Sequence, residues 1–101
     1  QKMLKKNRVQ SEETEGFVNF VMSIKSVVVA ASFRELEDGR VKVSLRSKND
    51  FNVNKVAVLF KGGGHFRASG CTMKGSVPAV KSRVLSALNK AVKKYYLKHK
   101  G

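Results

Sequence analysis

The sequence predicts an α+β domain in which helices pack against a small sheet that contains a β-hairpin. Residues 27–34 and 40–46 have the composition and spacing of two strands joined by a turn, and residues 14–25, 53–60 and 77–96 carry apolar residues at helical spacing. The chain has 101 residues, of which 42% are apolar, and this is enough for one domain with one modest core.

The amino-terminal part of the chain predicts a linker followed by a helix. Residues 1–12 are polar and basic with little periodicity, and we interpret them as a linker or tail before a domain at residues 13–101. Thr14 is suited to cap a helix, because its hydroxyl can accept a hydrogen bond from an amide of the first turn. A first helix over residues 14–25 is indicated by apolar residues at helical spacing, namely Phe17, Phe20, Val21 and Ile24.

A β-hairpin is predicted next. The run from Val27 to Phe33 is β-branched and almost wholly apolar, which is typical of a strand covered on both faces. Asp38-Gly39 is a favoured hairpin turn. The second strand ends at Arg46, and its apolar residues alternate on one face: Val41, Val43 and Leu45.

A short helix and a glycine-rich loop follow the hairpin. Asn52 can cap a helix over residues 53–60, where Val53, Val56, Ala57 and Phe60 share one face. The glycine run therefore follows a helix. A nucleotide-binding P-loop requires the opposite order and a Gly-Lys-Ser/Thr ending, so that kind of phosphate site is excluded.

The carboxyl-terminal part predicts a strand over residues 71–74 and a long helix over residues 77–96. Ser76 is the expected cap of this helix, and Pro78 lies in its first turn, where proline is tolerated. The buried face is expected to contain Val77, Val80, Val84, Leu88, Ala91 and Tyr95. Four basic residues project away from that face, and we interpret them as solvated surface: Lys81, Arg83, Lys90 and Lys94.

The charge of the chain predicts a polyanionic partner. Lys and Arg total 21 against seven carboxylates, which gives a net charge of +14. Clustered cations bind nucleic acid well, because each neutralised phosphate releases condensed counterions. The alternative is a solvated basic surface with no such partner.

Cysteine content and hydropathy indicate the cellular compartment in which the chain is expected. Cys71 is the one cysteine, so an internal disulfide is excluded and a reducing, cytoplasmic location is expected. No apolar run is long enough to span a bilayer, so no membrane partner is expected. Because the chain begins at Gln1, we expect it to be a piece of a longer protein.

Three consecutive glycines before a histidine form the most unusual feature of the sequence. Glycine reaches left-handed conformations without steric penalty, so the N–H groups of Gly62, Gly63 and Gly64 could turn to one side and bind an anion. His65 would add a donor that can carry charge. The alternative is that the glycines only make a sharp turn between a helix and a strand.

Several segments together resemble a known family. They are Glu15-Gly16-Phe17-Val18-Asn19, Val29-Ala30-Ala31-Ser32-Phe33-Arg34-Glu35, Val43-Ser44-Leu45-Arg46-Ser47-Lys48, and Gly62-Gly63-Gly64-His65 followed by Ala68-Ser69-Gly70-Cys71. In these residues the chain is similar to the DHH-associated subfamily 1 domain, the carboxyl-terminal half of DHH-family phosphoesterases of the bacterial oligoribonuclease and phosphoadenosine phosphate phosphatase type. The likeness runs from Glu13 to Tyr95. The sequence departs from the family pattern at Lys61, where a fourth glycine is common, and at Phe66-Arg67.

The resemblance implies a two-lobed, manganese-dependent phosphodiesterase that acts on short RNA or related nucleotides. In the family, an amino-terminal lobe with an Asp-His-His motif holds the manganese ions. The candidate ligands of this chain, Asp38, Asp50, His65 and His99, are too few for two metal ions, so no metal or catalytic residue is assigned here and the chain alone is expected to be inactive.

The same resemblance implies that this chain binds the substrate. Its expected partners are short RNA, DNA or a nucleotide phosphate, and the amino-terminal lobe of the same protein. The implied substrate-binding residues are Arg46, Ser47, Lys48, Gly62, Gly63, Gly64, His65, Arg67 and Gly70. Arg46 is the leading candidate, because its planar guanidinium suits bidentate phosphate binding. The alternatives are an autonomous basic nucleic-acid-binding module and the related carboxyl-terminal domain of an alanyl-tRNA synthetase.

Overall fold

One antiparallel sheet, covered on one face by helices, forms the described part of the chain. The computed structural model describes residues 7–14, 16–24, 27–48 and 50–99. The strands are β1 (Asn7–Thr14), β2 (Phe17–Ile24), β3 (Val27–Glu35), β4 (Arg40–Ser47), β5 (Gly63–His65) and β6 (Ala68–Lys74), and the helices are α1 (Asn54–Leu59) and α2 (Val77–His99). The strand order is β1-β2-β3-β4-β6-β5. The predicted α+β class is confirmed.

The predicted hairpin is confirmed as β3 and β4. Gly39 has a φ of +85° in the connecting turn, where Arg40 Nε donates to Asp38 Oδ2 at 2.8 Å. This hydrogen bond is the main reason that the pKa of Asp38 lies below its ordinary value. The expectation that residues 27–33 are covered on both faces is wrong, since alternate residues of β3 are only half-buried and the helices cover one face.

The predicted first helix is wrong, because residues 17–24 form strand β2. This strand pairs along its whole length with β1 on one side and β3 on the other. Gly16 turns the chain between β1 and β2 with a φ of +73°. The segment is apolar enough to match both the helical period of 3.6 residues and the strand period of two. In the strand, alternation puts Val18 and Met22 in the core while Phe17 stays exposed on the other face.

The predicted linker is also wrong in part. Residues 7–12 belong to β1, the edge strand of the sheet, and residues 1–6 lie outside the described residues. An edge strand is held by backbone hydrogen bonds to its one neighbour and can have a polar sequence. Composition therefore gave no signal for β1.

Both later helices are confirmed. Val53 and not Asn52 occupies the cap position of α1, although Asn52 Oδ1 accepts from the N–H of Asn54 at 2.9 Å. Ser76 Oγ accepts from the N–H of Ala79 at 3.3 Å at the start of α2, as predicted. Four valine and leucine residues of α2 are buried against the sheet: Val80, Val84, Leu88 and Val92. Among the described residues, no helix is long and apolar enough to cross a membrane.

The last part of the sheet is larger than the sequence predicts. The strand expected at residues 71–74 begins at Ala68, because residues 68–74 pair with β4 along seven positions. Part of the glycine loop is itself strand β5, which pairs with β6 as Gly63 with Gly70, Gly64 with Ser69 and His65 with Ala68. Glycine has low strand propensity, so this edge strand is invisible to pattern analysis.

Candidate functional site

The glycine run begins as the end of helix α1. The N–H of Gly62 donates to the carbonyl of Ala57 at 2.9 Å, and the N–H of Lys61 donates to the carbonyl of Val58 at 3.0 Å. This pair of bonds is the Schellman arrangement that terminates helices, and it places a left-handed residue just after the helix. Lys61 occupies that position with a φ of +64°. Lys61 therefore stands in a position where glycine is favoured.

Two of the three glycines are required by close packing on β6. A Cβ at Gly62 would lie 2.1 Å from the carbonyl oxygen of Gly70, and one at Gly64 would lie 2.7 Å from the Cα of Ser69. Gly64 also has a φ of +140°. Gly63 differs from both, because its Cβ would meet only Asn54 Oδ1, at 4.0 Å. The fold thus explains Gly62 and Gly64 but leaves Gly63 without a structural requirement.

The expected row of amide donors is not formed. The N–H of Gly62 is used by the end of α1, so it cannot also bind an anion. Gly63 and Gly64 lie in a strand, where successive N–H groups point in opposite directions. Phosphate binding by three converging glycine amides is therefore wrong for this geometry.

What the glycines provide instead is a shallow concave surface on the open face of the sheet. The side chains of Ser44 and Arg46 lie on this face, since Val43 and Leu45 between them are buried. The surface encloses about 430 Å³. We call it the glycine trough and define it by Ser44, Arg46, Gly63, Ala68 and Gly70.

The floor of the trough has almost no side chains. Gly70 lies opposite Ser44 on one side and opposite Gly63 on the other, and Ala68 lies opposite Arg46. Gly70 must be glycine for the fold as well, because a Cβ there would lie 2.5 Å from the carbonyl oxygen of Val43. A ligand can thus approach the backbone closely between two strands.

Arg46 and His65 stand on opposite sides of this floor. Arg46 pairs with Ala68, and Ala68 pairs with His65, so two strand spacings, about 10 Å, separate their backbones. Both residues are exposed. The His65 ring stacks on Phe66 with centroids 5.3 Å apart and an interplanar angle of 29°. Arg46 therefore lines the trough, and His65 lies next to it on the far side of Ala68.

Arg67 lies in the turn that joins β5 to β6, beside the trough. Its Nη2 is 3.3 Å from Asp50 Oδ1, and its guanidinium carbon is 5.2 Å from the centre of the Phe66 ring. Both members of the ion pair are exposed, so the pair contributes little to stability. An anion could therefore replace Asp50 as the partner of Arg67 at small cost.

Ser47 is the last residue of β4, and Lys48 follows it. Ser47 Oγ donates to the carbonyl of Phe51 at 2.7 Å, and the N–H of Ser47 donates to the carbonyl of Arg67 at 3.0 Å. By alternation Ser47 points to the face opposite Arg46. Its hydroxyl holds the connection to α1, while Lys48 is exposed beyond the last strand pair.

Two polar oxygens near β5 are buried without a hydrogen-bond partner among the described residues. They are Asn54 Oδ1, the nearest atom to a Cβ at Gly63, and Ser69 Oγ. Native proteins leave few such atoms unpaired, and functional sites are one place where they occur. These two unpaired oxygens lie next to β5, an edge strand of the sheet.

The described residues contain no group of three His, Cys, Asp or Glu side chains able to hold a metal ion. Asp38 is in the hairpin turn, and Asp50 pairs with Arg67. Cys71 is a buried core residue, and burial raises the pKa of its thiol. Within these residues the donor set does not fit a pair of divalent ions.

Sequence reasoning missed two of the five residues that define the trough. Ser44 and Ala68 were not assigned to the site, although both belong to segments that carry the family resemblance. Ser44 could have been found, because alternation along β4 puts it on the same face as Arg46. Ala68 could not, since its place depends on the pairing of β6 with two neighbours.

Comparisons of the chain with a family profile and with curated proteins agree on one family. The DHHA1 domain profile matches residues 2–95. The chain is 36% identical over 78 residues to the bifunctional oligoribonuclease and PAP phosphatase NrnA of Thermus thermophilus, covering 76% of this chain and 24% of that protein. It is 44% identical over 70 residues to the probable bifunctional oligoribonuclease and PAP phosphatase NrnA of Streptococcus mutans, covering 69% of this chain and 22% of that protein.

Proposed function

This chain belongs to the DHHA1 domain family, and we propose that it binds the nucleotide or oligonucleotide phosphate substrate of a two-lobed DHH phosphodiesterase. It spans about a quarter of the length of the curated relatives it matches, so hydrolysis belongs to the larger protein in this proposal. The relatives are named as oligoribonucleases and PAP phosphatases, which favours short RNA or a phosphorylated nucleotide as substrate.

The observation that carries the proposal is an exposed arginine beside an open, glycine-floored trough. The guanidinium of Arg46 presents a planar fork of donors that matches two phosphate oxygens. Gly63, Ala68 and Gly70 keep the floor low enough for a phosphate or sugar to lie within reach of that fork. The net charge of +14 would attract such an anion from solution.

The remaining site residues divide into contacts and supports. His65 would donate to the substrate from the far side of the trough, and Lys48 and Arg67 would add cationic contacts at its ends. Gly62 and Gly64 would act by bringing β5 onto β6. Ser47 would act by fixing the connection between β4 and α1 through its bond to Phe51. Ser44 joins the set as a hydroxyl on the trough wall.

Metal chemistry is assigned to the other lobe. Residues of the amino-terminal lobe would hold the manganese ions, whose chemistry would be to activate a water for attack, and the described residues would bind and orient the substrate. The described residues alone are then inactive as a hydrolase. Cytoplasmic location is part of the same proposal, because a single buried cysteine suits a reducing compartment.

Kinetics of the full-length protein test this assignment. Arg46→Ala and His65→Ala should each weaken substrate capture by roughly 1.5–3 kcal/mol, the loss typical of a hydrogen bond to a charged group, and so raise KM about 10- to 150-fold. The value of kcat at saturating substrate should change little. Arg34→Ala is the matched control, since Arg34 is an exposed arginine at the far end of β3. Wild-type KM in both variants would refute the proposal.

A further inference from the structure

A second cationic surface lies on the helical layer, on the other side of the sheet from the glycine trough. A groove of about 1030 Å³ runs between α1 and α2. We call it the basic groove and define it by five cations and three apolar residues. The cations are Lys55, Arg83, Lys90, Lys93 and Lys94. The apolar residues are Leu59, Phe60 and Leu97.

The charge of the groove is of one sign. None of the described residues that line it is Asp or Glu. Arg83, Lys90 and Lys94 follow one face of α2 and extend about 16 Å along its axis, at 1.5 Å per residue. Asp50 lines an adjoining cavity that shares Lys55 and Lys94 with the groove, and its carboxylate pairs with Arg67. A row of cations without compensating carboxylates favours the binding of a polyanion with regularly spaced charges.

The floor of the groove is apolar and exposed. Leu59 and Leu97 each keep 67% of their surface accessible, and the guanidinium of Arg83 lies 5.7 Å from the centre of the Phe60 ring. A duplex hides the faces of its bases and would leave this apolar surface in water. A single strand can turn its base faces onto it while its phosphates meet the cations. The combination favours a single strand.

We propose that the basic groove binds single-stranded nucleic acid, as a site separate from the glycine trough. The expected solvated basic face of α2 thus becomes one wall of a binding surface. A longer strand held in this groove would be retained near the trough through contacts that a mononucleotide or dinucleotide cannot reach. The inference does not depend on what the trough binds.

Binding of a hydrolysis-resistant strand tests the proposal. The probe is a fluorescein-labelled 2′-O-methyl 12-nucleotide strand of mixed sequence, followed by anisotropy against the full-length protein between 50 and 300 mM salt. Lys90→Gln/Lys94→Gln removes two charges from the groove. Lys74→Glu is the matched control, because it changes net charge by the same two units at an exposed position on β6 outside the groove.

The double variant should bind the 12-mer at least about tenfold more weakly at 50 mM salt, and its negative slope of log K against log salt should become shallower by about 1.4, or 0.7 for each lost phosphate contact. The control should leave the slope unchanged. An unchanged slope in the double variant overturns the proposal. Equal binding of the matching 12-base-pair duplex, with the same dependence on Lys90 and Lys94, overturns the single-strand assignment.

Two further measurements separate this site from its alternatives. Arg46→Ala should leave the loss caused by Lys90→Gln/Lys94→Gln unchanged, whereas it should weaken binding of a dinucleotide. If Arg46→Ala abolishes the effect of Lys90→Gln/Lys94→Gln on binding of the 12-mer, and the double variant abolishes the effect of Arg46→Ala, the groove and the trough are not separate sites. If an acidic amphipathic helical peptide binds the groove more tightly than the 12-mer, its occupant is a protein and the proposal is wrong.

Discussion

Arg46 lies directly opposite Ala68 in the antiparallel pairing of β4 with β6, and Ala68 lies opposite His65 in the pairing of β6 with β5. A single methyl group therefore separates an exposed guanidinium from an exposed imidazole across the open face of the sheet. The backbones of the two residues are two strand spacings, or about 10 Å, apart. The proposed site rests on this relationship rather than on a row of glycine amides.

The size of residue 68 should control access to the trough. Ala68→Leu places three more carbon atoms between Arg46 and His65, so we expect KM for the substrate to rise at least about tenfold, which is about 1.4 kcal/mol. Residue 68 is exposed, so the free energy of unfolding should change by less than about 0.5 kcal/mol. Steady-state kinetics and urea unfolding measure the two effects.

Lys74→Leu provides the control for this substitution. Lys74 is exposed on the same face of β6, about 20 Å further along the strand, lies opposite Arg40 and does not line the trough. Its replacement should leave KM near wild type. Equal effects of the two leucines would show that the change acts through the sheet and not through the trough.

The glycines should separate into structural and functional positions. Gly62→Ala and Gly70→Ala force a Cβ into backbone oxygen atoms at 2.1 and 2.5 Å, and we expect each to destabilise the fold by about 1–3 kcal/mol. Gly63→Ala meets no atom closer than 4.0 Å and should stay within about 0.5 kcal/mol of wild type. Chemical unfolding of the three variants measures this order.

Gly63→Ala should nevertheless weaken substrate binding, because Gly63 lines the trough. This variant distinguishes the two interpretations of the glycine run. Normal stability with raised KM supports a binding role for Gly63. Normal stability with wild-type KM would leave the glycines with a purely structural purpose.

Lys61 should be a site where glycine stabilises the protein. A non-glycine residue in the left-handed region costs roughly 1–2 kcal/mol, so Lys61→Gly should raise the free energy of unfolding by about 1 kcal/mol and Tm by about 4–8 °C. Lys90→Gly is the matched control in the interior of α2, where glycine costs about 1 kcal/mol. Changes of the same sign in both variants would exclude the backbone explanation.

Local patterns predicted the elements that local physics determines. The hairpin of β3 and β4, the short helix α1 and the long helix α2 carry turn dipeptides, caps and apolar spacing that agree with each other. Residues 17–24 satisfied both the helical and the strand period, and only pairing with β1 and β3 decides between them. The polar strand β1 and the glycine strand β5 depend on neighbours that are distant in sequence.

The residues of the candidate site likewise divide into those that local patterns predict and those whose place depends on distant pairing. Arg46 could be placed from sequence, because alternation along β4 fixes the face on which it lies. The glycines could not, because their N–H groups depend on how α1 ends and how β5 meets β6. The Schellman bonds at Lys61 and Gly62 use an amide that composition alone would offer to a ligand.

The most direct test of the central claim is a two-dimensional ¹⁵N–¹H spectrum of the protein titrated with a 5′-phosphorylated diadenylate. We predict that the largest shift changes occur at the amides of residues 44–46, Gly63, Ala68 and Gly70, and that Arg46→Ala removes them. Shift changes confined to α2, or spread evenly over the sheet and unaltered by Arg46→Ala, would contradict the assignment of the glycine trough as the substrate site.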